Sequence, residues 1–558
     1  MYPDKPNILQ LVALLKVHGI RQAVLCPGSR NAAIVHSLAV DADFVCHQIT
    51  DERSAGFYAI GLALSTQSPV AVCCTSGSAV VNLFPAVTEA YYQGVPIIFI
   101  TADRPEAWIG QMDGQTMPQR SIFGSLVRSS VYLPEGKDEE ELWYINRLIN
   151  EALLAAHHGE GGPVHINVPL SEPLFNFTAE QLPEVRTIRR LSLSDLSKTT
   201  GAYDRLEPIK QIDTEARRIM VLVGQLPPAQ RQTLETIEAL LPNAVLLKEH
   251  LSGQIEASGG WIDNFDALLA SLEDEEADKY SPDLLITLGG HIVSKRIKQF
   301  IRSHKPQAHW HLSPSGEVVD LFGSLTLAIE GTVDHWGDHL FSQVNLWGDS
   351  TYRELWRERS IGLPLPHFTY SAMLAVGSLL SLMPSGSALH LANSSAVRHA
   401  QLYPLPPGTQ VLCNRGINGI EGSLSSALGY ACQSERINFI IIGDLSFFYD
   451  MNVLWSGKVG TNVRILLLNN SGGGIFRGLR GMPHDEPSFG SIMGAHGRSA
   501  KAWAEDCGLV YRAVHSTEEL EQALPALCSK EASNPIVVEV FTSMNEDTEL
   551  LQAYYQQL

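Results

Sequence analysis

Residues 439–450 read FIIIGDLSFFYD: five apolar or glycine positions run straight into a carboxylate, Asp444, and aromatics follow at once. A short, wholly apolar run reads as a strand buried on both faces, and such strands belong to parallel sheets covered by helices. An acid does not belong in that core. It belongs at a ligand site, because open parallel sheets bind their ligands at the carboxyl ends of the strands.

Outward from this stretch the same kind of run recurs along the chain. A first series is RQAVLCPG (21–28), DFVCHQ (43–48), PVAVCCTSGS (69–78), VPIIFITADRP (95–105) and GPVHINVPL (162–170). A second is IMVLVGQ (219–225), NAVLLKEH (243–250), DLLITLGG (283–290), AHWHLSP (308–314) and SLTLAIEG (324–331). The third holds SALHLANSS (387–395), VLCNRG (411–416), INFIIIGD (437–444), VRILLLNN (463–470) and PIVVEVFTS (535–543). Helical patterns separate the runs, so the spacing predicts an α/β protein of three doubly wound parallel-sheet domains. The boundaries are set at 1–180, 205–345 and 366–558, with linkers in the polar stretch around 176–215 and around 340–366. A length of 558 residues suits this number of domains at about 150 residues each.

The chain is 45% hydrophobic and 18% charged, a balance that excludes disorder. Forty basic against sixty acidic side chains give a net charge of −20, which opposes binding to nucleic acid or to an anionic membrane. The eight cysteines include no C-x-x-C pair and mostly sit in apolar runs, so they are read as reduced core thiols and the setting as cytoplasmic. The stretch ILQLVALLKVHGI (8–20) is interrupted by Lys16 and lacks a small-residue cleavage site, so it is read as an amphipathic helix. No apolar run reaches the ~18 residues that insertion into a bilayer requires.

The residues to weigh for function are the polar ones at strand ends. Asp444 ends one run and Asn470 ends another 26 positions later, followed by the glycines 472–474. A carboxylate, an amide oxygen and a free loop carbonyl form a hard-oxygen set suited to magnesium, which keeps few protein ligands and fills its shell with phosphate and water. Glycines in the loop let the backbone approach such a guest. Each feature also has a local use: Asp444 suits a helix start, and the glycines suit a turn. Glu52, past another strand end and before an Ala/Gly-rich helix, suits either a first-turn acid or a desolvated catalytic acid.

The strand, Gly-Asp, spacer, strand, Asn-Asn arrangement resembles the thiamine-diphosphate motif. PGSRN, TDERSAGFYAIGLA, TSGSAVVNLFPAVTEA, ITADRP, GPVHINVPLSEPLF, NRGINGIEGSLSSALGYA, GDLSFFYDMN and NNSGGGIF together resemble the 2-succinyl-5-enolpyruvyl-6-hydroxy-3-cyclohexene-1-carboxylate (SEPHCHC) synthases of menaquinone biosynthesis. The resemblance is strong in the first and third domains. In the middle one it rests on SKRIKQF (294–300).

The resemblance implies the thiamine-diphosphate-enzyme fold, with thiamine diphosphate and Mg2+ (or Mn2+) as cofactors and 2-oxoglutarate and isochorismate as substrates. Carbon dioxide would leave 2-oxoglutarate, and the succinyl carbanion would add to the ring of isochorismate. Glu52 would activate the aminopyrimidine. Asp444, Asn470 and Gly472 would hold the metal, and Ser29, Ile420, Leu445, Ser446, Gly473 and Ile475 would line the rest of the cofactor site. Arg30, Arg104, Lys295, Arg296, Arg398 and Arg415 would bind substrate carboxylates, with hydrogen bonds from Ser29, Gln115 and Ser394. Ile475, Phe476 and Leu479 would form an apolar wall. Arg30, Gln115, Arg398 and Arg415 join Glu52 as the implied catalytic set, in a dimer or tetramer whose sites lie between subunits.

Some positions depart from the family pattern: Gly114 stands where asparagine is common, Ser471 replaces a third asparagine, Asn418 and Glu421 replace a serine and an aspartate, and Leu445 replaces a glycine. An acetolactate synthase or a simple 2-oxoacid decarboxylase would share Glu52 and Asp444 without requiring so many arginines. A nicotinamide dehydrogenase would need G-x-G-x-x-G opening a helix after a strand, which has no convincing match here.

Overall fold

The computed structural model describes residues 1–188, 217–230, 232–255, 259–336, 348–456, 459–478 and 488–558. Apolar runs become strands in all three series. The first contains β1 Gln22–Leu25, β2 Val45–Gln48, β3 Val70–Cys74, β4 Ile97–Asp103, β5 Ser129–Tyr132 and β6 Val164–Pro169. The second contains β7 Ile219–Val223, β8 Val245–Lys248, β9 Trp261–Ile262, β10 Leu284–Leu288, β11 Ala308–Ser313 and β12 Leu327–Glu330. The third contains β13 Ala388–Leu391, β14 Gln410–Leu412, β15 Asn438–Gly443, β16 Val463–Asn469, β17 Val510–Val514 and β18 Ile536–Phe541.

Each series closes into one six-stranded sheet, with orders β2-β1-β3-β4-β6-β5, β12-β11-β10-β7-β8-β9 and β14-β13-β15-β16-β18-β17. Every strand pair is parallel; Asn438 to Gly443 of β15, for example, run beside Val463 to Leu468 of β16. In the third sheet the chain leaves β13 for β14 on one side and resumes at β15 on the other. That reversal opens a crevice above the strand ends, with Asn393 and Ser394 on one flank and Asp444 on the other.

The first and third domains share a core. One apolar cluster contains Phe57, Ala59 and Leu62 of the helix Glu52–Thr66 together with Leu424, Ala427 and Leu428 of the helix Ser423–Ala431. The two helices meet at backbone distance because glycines stand at the crossing: a Cβ on Gly61 would lie 1.8 Å from the Ser426 carbonyl oxygen, and one on Gly429 would lie 2.0 Å from that of Tyr58. The middle sheet instead has separate cores on its two faces.

Two expectations change. The stretch around 340–366, read as a linker, contains the helix Ser350–Ile361, whose Tyr352 and Trp356 lie one turn apart and are buried against the middle sheet. Residues 189–216 and 337–347 lie outside the described residues. Of the cysteines read as core thiols, Cys26, Cys73, Cys74 and Cys413 are buried, whereas Cys46 and Cys432 are exposed and Cys507 and Cys528 half-buried.

Candidate functional site

Asp444 opens the helix Asp444–Asp450 directly from β15 and is buried. Its Oδ1 accepts the Leu445 N–H at 2.7 Å, as a helix start requires, and its Oδ2 accepts the Gly472 N–H at 2.9 Å from the loop after β16. His496 Nε2 stands 3.3 Å from the same Oδ2. Burial pushes the carboxyl above its ordinary range, against the pull of the Leu445 N–H, His496 and the Gly472 N–H.

The loop after β16 lies close to its surroundings. A Cβ would meet the Met493 carbonyl oxygen at 3.0 Å from Gly472, the Phe476 ring at 2.8 Å from Gly473, and Asn470 Nδ2 at 2.7 Å from Gly474. With Asp444 and Asn470 at neighbouring strand ends, the arrangement offers hard oxygens beside a tight glycine loop. That set fits a divalent cation carrying a diphosphate. Ile475 and Phe476 follow in a half-buried turn. Leu479 lies outside the described residues.

Ser446, one turn into the helix, donates its hydroxyl to the Ile420 carbonyl at 2.5 Å and so ties the 416–422 loop to Asp444. Ile420 is 36% exposed, so its side chain is not part of the apolar core of the single chain. Asn393 holds the other end of that loop, donating to the carbonyls of Asn414 at 2.6 Å and Gly419 at 2.7 Å while its oxygen accepts Arg415 Nη1 at 2.9 Å. Arg415 Nε is buried without a hydrogen-bond partner among the described residues. Arg398 donates to the Ser394 carbonyl at 2.5 Å, and Ser394 has a left-handed φ of 70°. Burial, with the charge of Arg415 beside it, lowers the Arg398 value, while Asp266 and Glu249 oppose. Gln115, Asn418 and Ser471 are also left-handed, at 55°, 62° and 66°. Backbone strain therefore collects on these loops.

Two lysines of the middle domain differ in their surroundings. Lys295 is exposed, whereas Lys298 one turn later is half-buried, its value lowered by burial and by Arg415, Arg302 and Arg398 against the pull of Glu249. Arg296 is engaged with Asp266 at 2.5 Å and lies 3.8 Å over the Tyr555 ring of the C-terminal helix. Glu249 accepts the Val293 and Ser294 N–H groups, both at 2.7 Å, and stands near Arg415.

The first domain carries a separate group. Glu52 begins the helix Glu52–Thr66 and accepts Asn82 Nδ2 at 3.2 Å. It is half-buried in the single chain, less enclosed than the desolvated acid that the sequence suggested. Its neighbours reach the third domain: Arg53 donates to the Tyr449 carbonyl, and Asp51 accepts Asn452 Nδ2 at 2.9 Å. Those partners stand at the far end of the helix that Asp444 opens. Ser29 is exposed. Arg30 is buried and committed to the Leu170 carbonyl at 3.0 Å and to Glu172 at 3.1 Å. Arg104 Nε binds the Gly114 carbonyl at 3.0 Å and Asp113 at 2.9 Å, shaping the loop that carries exposed Gln115.

Sequence reasoning did not single out Asn82, Glu89, Lys298, His496 or Asp547. Glu89 Oε1 and Oε2 accept the Gly416 and Ile417 N–H groups at 2.8 and 2.9 Å across the domain boundary. A Glu in an apolar helix, TEA at 88–90, was the one available signal. A cavity of about 1250 Å3 between the domains is lined by Lys298 and Asn414 but not by Glu52, Asp444 or Asn470, so the chemistry named above is not centred there.

Comparison with known proteins bears on the whole chain. Residues 9–124 match the N-terminal TPP binding domain of thiamine pyrophosphate enzymes, residues 206–353 the middle domain, and residues 393–540 the C-terminal TPP binding domain. The chain is 51% identical to the 2-succinyl-5-enolpyruvyl-6-hydroxy-3-cyclohexene-1-carboxylate synthase of Phocaeicola vulgatus, over 100% of this chain and 99% of that one. It is 51% identical to the synthase of that name from Bacteroides fragilis, over 100% of both chains, and 34% identical to that of Flavobacterium psychrophilum, again over 100% of both. The chain therefore belongs to the SEPHCHC synthase family of thiamine pyrophosphate enzymes.

Proposed function

We propose that this chain is a transferase of menaquinone biosynthesis that decarboxylates 2-oxoglutarate and adds the remaining four-carbon fragment, in a 1,4 sense, to isochorismate, giving SEPHCHC and CO2. The observation that carries the reading is the convergence of Arg398, Arg415 and Lys298 beside the loop that Asn393 and Ser446 tie to Asp444. Both substrates are dianions. An enzyme for monoanionic 2-oxoacids has no need of three partly desolvated cations.

Asp444, Asn470 and the Gly472 carbonyl would hold Mg2+ or Mn2+ and, through it, the diphosphate. Ile420 would support the cofactor's two rings from below, with Leu445, Ser446, Gly473 and Ile475 around it. Bound thiamine diphosphate supplies the electron sink that takes up the electron pair released when CO2 departs. Glu52 would share a proton with the far nitrogen of the aminopyrimidine, and Arg398 and Arg415, with Ser394, would orient substrate carboxylates through planar forks. Ser29, Gln115 and Arg104 would contact substrate from the first domain. Arg30 would do so once a substrate carboxylate takes the place of exposed Glu172. Lys295 and Arg296 would serve at the rim, and Phe476 and Leu479 would exclude water.

In this reading residues 1–180 bind the pyrimidine, 366–558 the diphosphate, and 205–345 lie between them. Asp51 and Arg53 hold the start of the Glu52 helix at the far end of the helix Asp444–Asp450 rather than beside Asp444, and in this reading the site is shared between two copies, in a dimer or tetramer. Ile417 and Ile420, 38% and 36% exposed, would be covered there. Among the described residues no helix is long and apolar enough to cross a membrane. The acidic chain would work in the cytoplasm without nucleic-acid partners.

The test is CO2 release from 2-oxoglutarate that depends on isochorismate, thiamine diphosphate and Mg2+. Glu52→Gln is expected to keep cofactor affinity and lose at least about 100-fold in turnover. Acetolactate formation from pyruvate, or CO2 release without isochorismate, would assign a different reaction to the same scaffold.

A further inference from the structure

The third domain closes with the helix Met544–Gln557, and Asp547 near its start is buried. Asp547 Oδ1 accepts the Ala372 N–H at 2.9 Å and Oδ2 accepts the Thr542 hydroxyl at 2.7 Å, and the side-chain amide of Asn470 lies beside the same carboxylate. The amide nitrogen is confined on that side: a Cβ on Gly474 would lie 2.7 Å from Asn470 Nδ2 and 3.2 Å from Met544 Cγ. The nitrogen and oxygen of a planar amide point in different directions, so an amide whose nitrogen faces Asp547 presents its oxygen elsewhere. The flipped amide would set its oxygen against the buried Asp547 carboxylate, acceptor against acceptor.

We propose that Asp547 is a positioning residue that decides which end of the Asn470 amide is offered at the mouth of β16, holding the oxygen ready for a divalent cation. This rests on the reading above, in which Asn470 is a metal ligand. Asp547 would act through Asn470 and touch neither metal nor substrate. Partners of this kind, one bond behind a ligand, typically contribute 10–100-fold to metal affinity.

The experiment is Mn2+ binding to the full-length chain at saturating thiamine diphosphate, read by electron paramagnetic resonance and therefore independent of turnover. Asp547→Asn, whose side chain accepts either orientation of its neighbour, is expected to weaken Mn2+ binding 10–100-fold. Thr542→Val removes another partner of the same carboxylate and is expected to lower the melting temperature with Mn2+ affinity held within twofold. The double variant D547N/N470D reverses donor and acceptor and is expected to recover most of the affinity; it also decides the matter if D547N alone does not fold. Wild-type Mn2+ affinity in D547N, with binding lost in Asn470→Ala, overturns the role of Asp547 and leaves the ligand reading standing. Unchanged binding in Asn470→Ala overturns the ligand reading itself. Equal weakening in Thr542→Val and D547N, or a folded double variant that fails to bind, also overturns the proposal.

Discussion

Asp450 is a buried carboxylate at the end of the helix that Asp444 opens, accepting the Ser425 N–H and hydroxyl, both at 2.7 Å. Burial raises it from 3.8 to about 6, with those two hydrogen bonds opposing. A carboxyl raised on folding favours the folded state when protonated, so its contribution is complete below about pH 4 and is lost as pH rises through about 6. Asp450→Asn is expected to remove a fall of about 3 kcal/mol over that window, seen as the difference between wild-type and variant stability from pH 4 to 7. Residues like this are hard to find in a sequence. Asp444, Asn470 and Glu52 were legible because a charge or amide at the mouth of an apolar strand is chemically out of place. Lys298 was not, because Lys295 and Lys298 look alike until the helix shows which one faces Glu249. Glu89 and Asp547 owe their meaning to N–H groups and an amide tens to hundreds of positions away, and no local pattern announces them.

At the scale of elements, the helix pair Glu52–Thr66 and Ser423–Ala431 carries the strongest constraint. An added methyl at Gly61 or Gly429 meets a backbone carbonyl rather than a movable side chain, so the helices must part. Gly61→Ala or Gly429→Ala is expected to cost about 1–3 kcal/mol or more, measured as a drop in the melting temperature of the assembled protein. The strands were mostly legible, and the misses share one cause. β5, β9 and β17 each lie at the edge of a sheet, where one side has no neighbour and fewer positions need be apolar. The burial pattern of β17, from exposed Val510 to buried Val514, shows this: VYRAV does not read as a core run. The helix Ser350–Ile361 was hidden differently, since eight of its twelve residues are polar or charged and its anchors are two aromatics one turn apart.

For the whole molecule, a site divided between copies makes a quantitative prediction. Glu52→Gln and Asp444→Ala homodimers are each expected to be inactive, yet random mixing gives half of the dimers as hybrids, each with one intact site and one doubly altered site. Mixed and re-equilibrated subunits should recover about one quarter of wild-type turnover. No recovery, with exchange verified by mass, would place both residues of a site in one chain. The three-domain layout was legible from the rhythm of the runs; the joining of the first and third domains was not, because both faces of a buried helix look apolar whichever partner covers them. That joining has a consequence for how the chain is made. The helix ending at residue 66 leaves the ribosome long before the helix beginning at residue 423 that covers it, an interval of about 20–70 seconds at ~5–20 residues per second. Throughout that delay the nascent first domain exposes an oily, glycine-notched flank, which makes it a natural client for chaperones until translation delivers its lid.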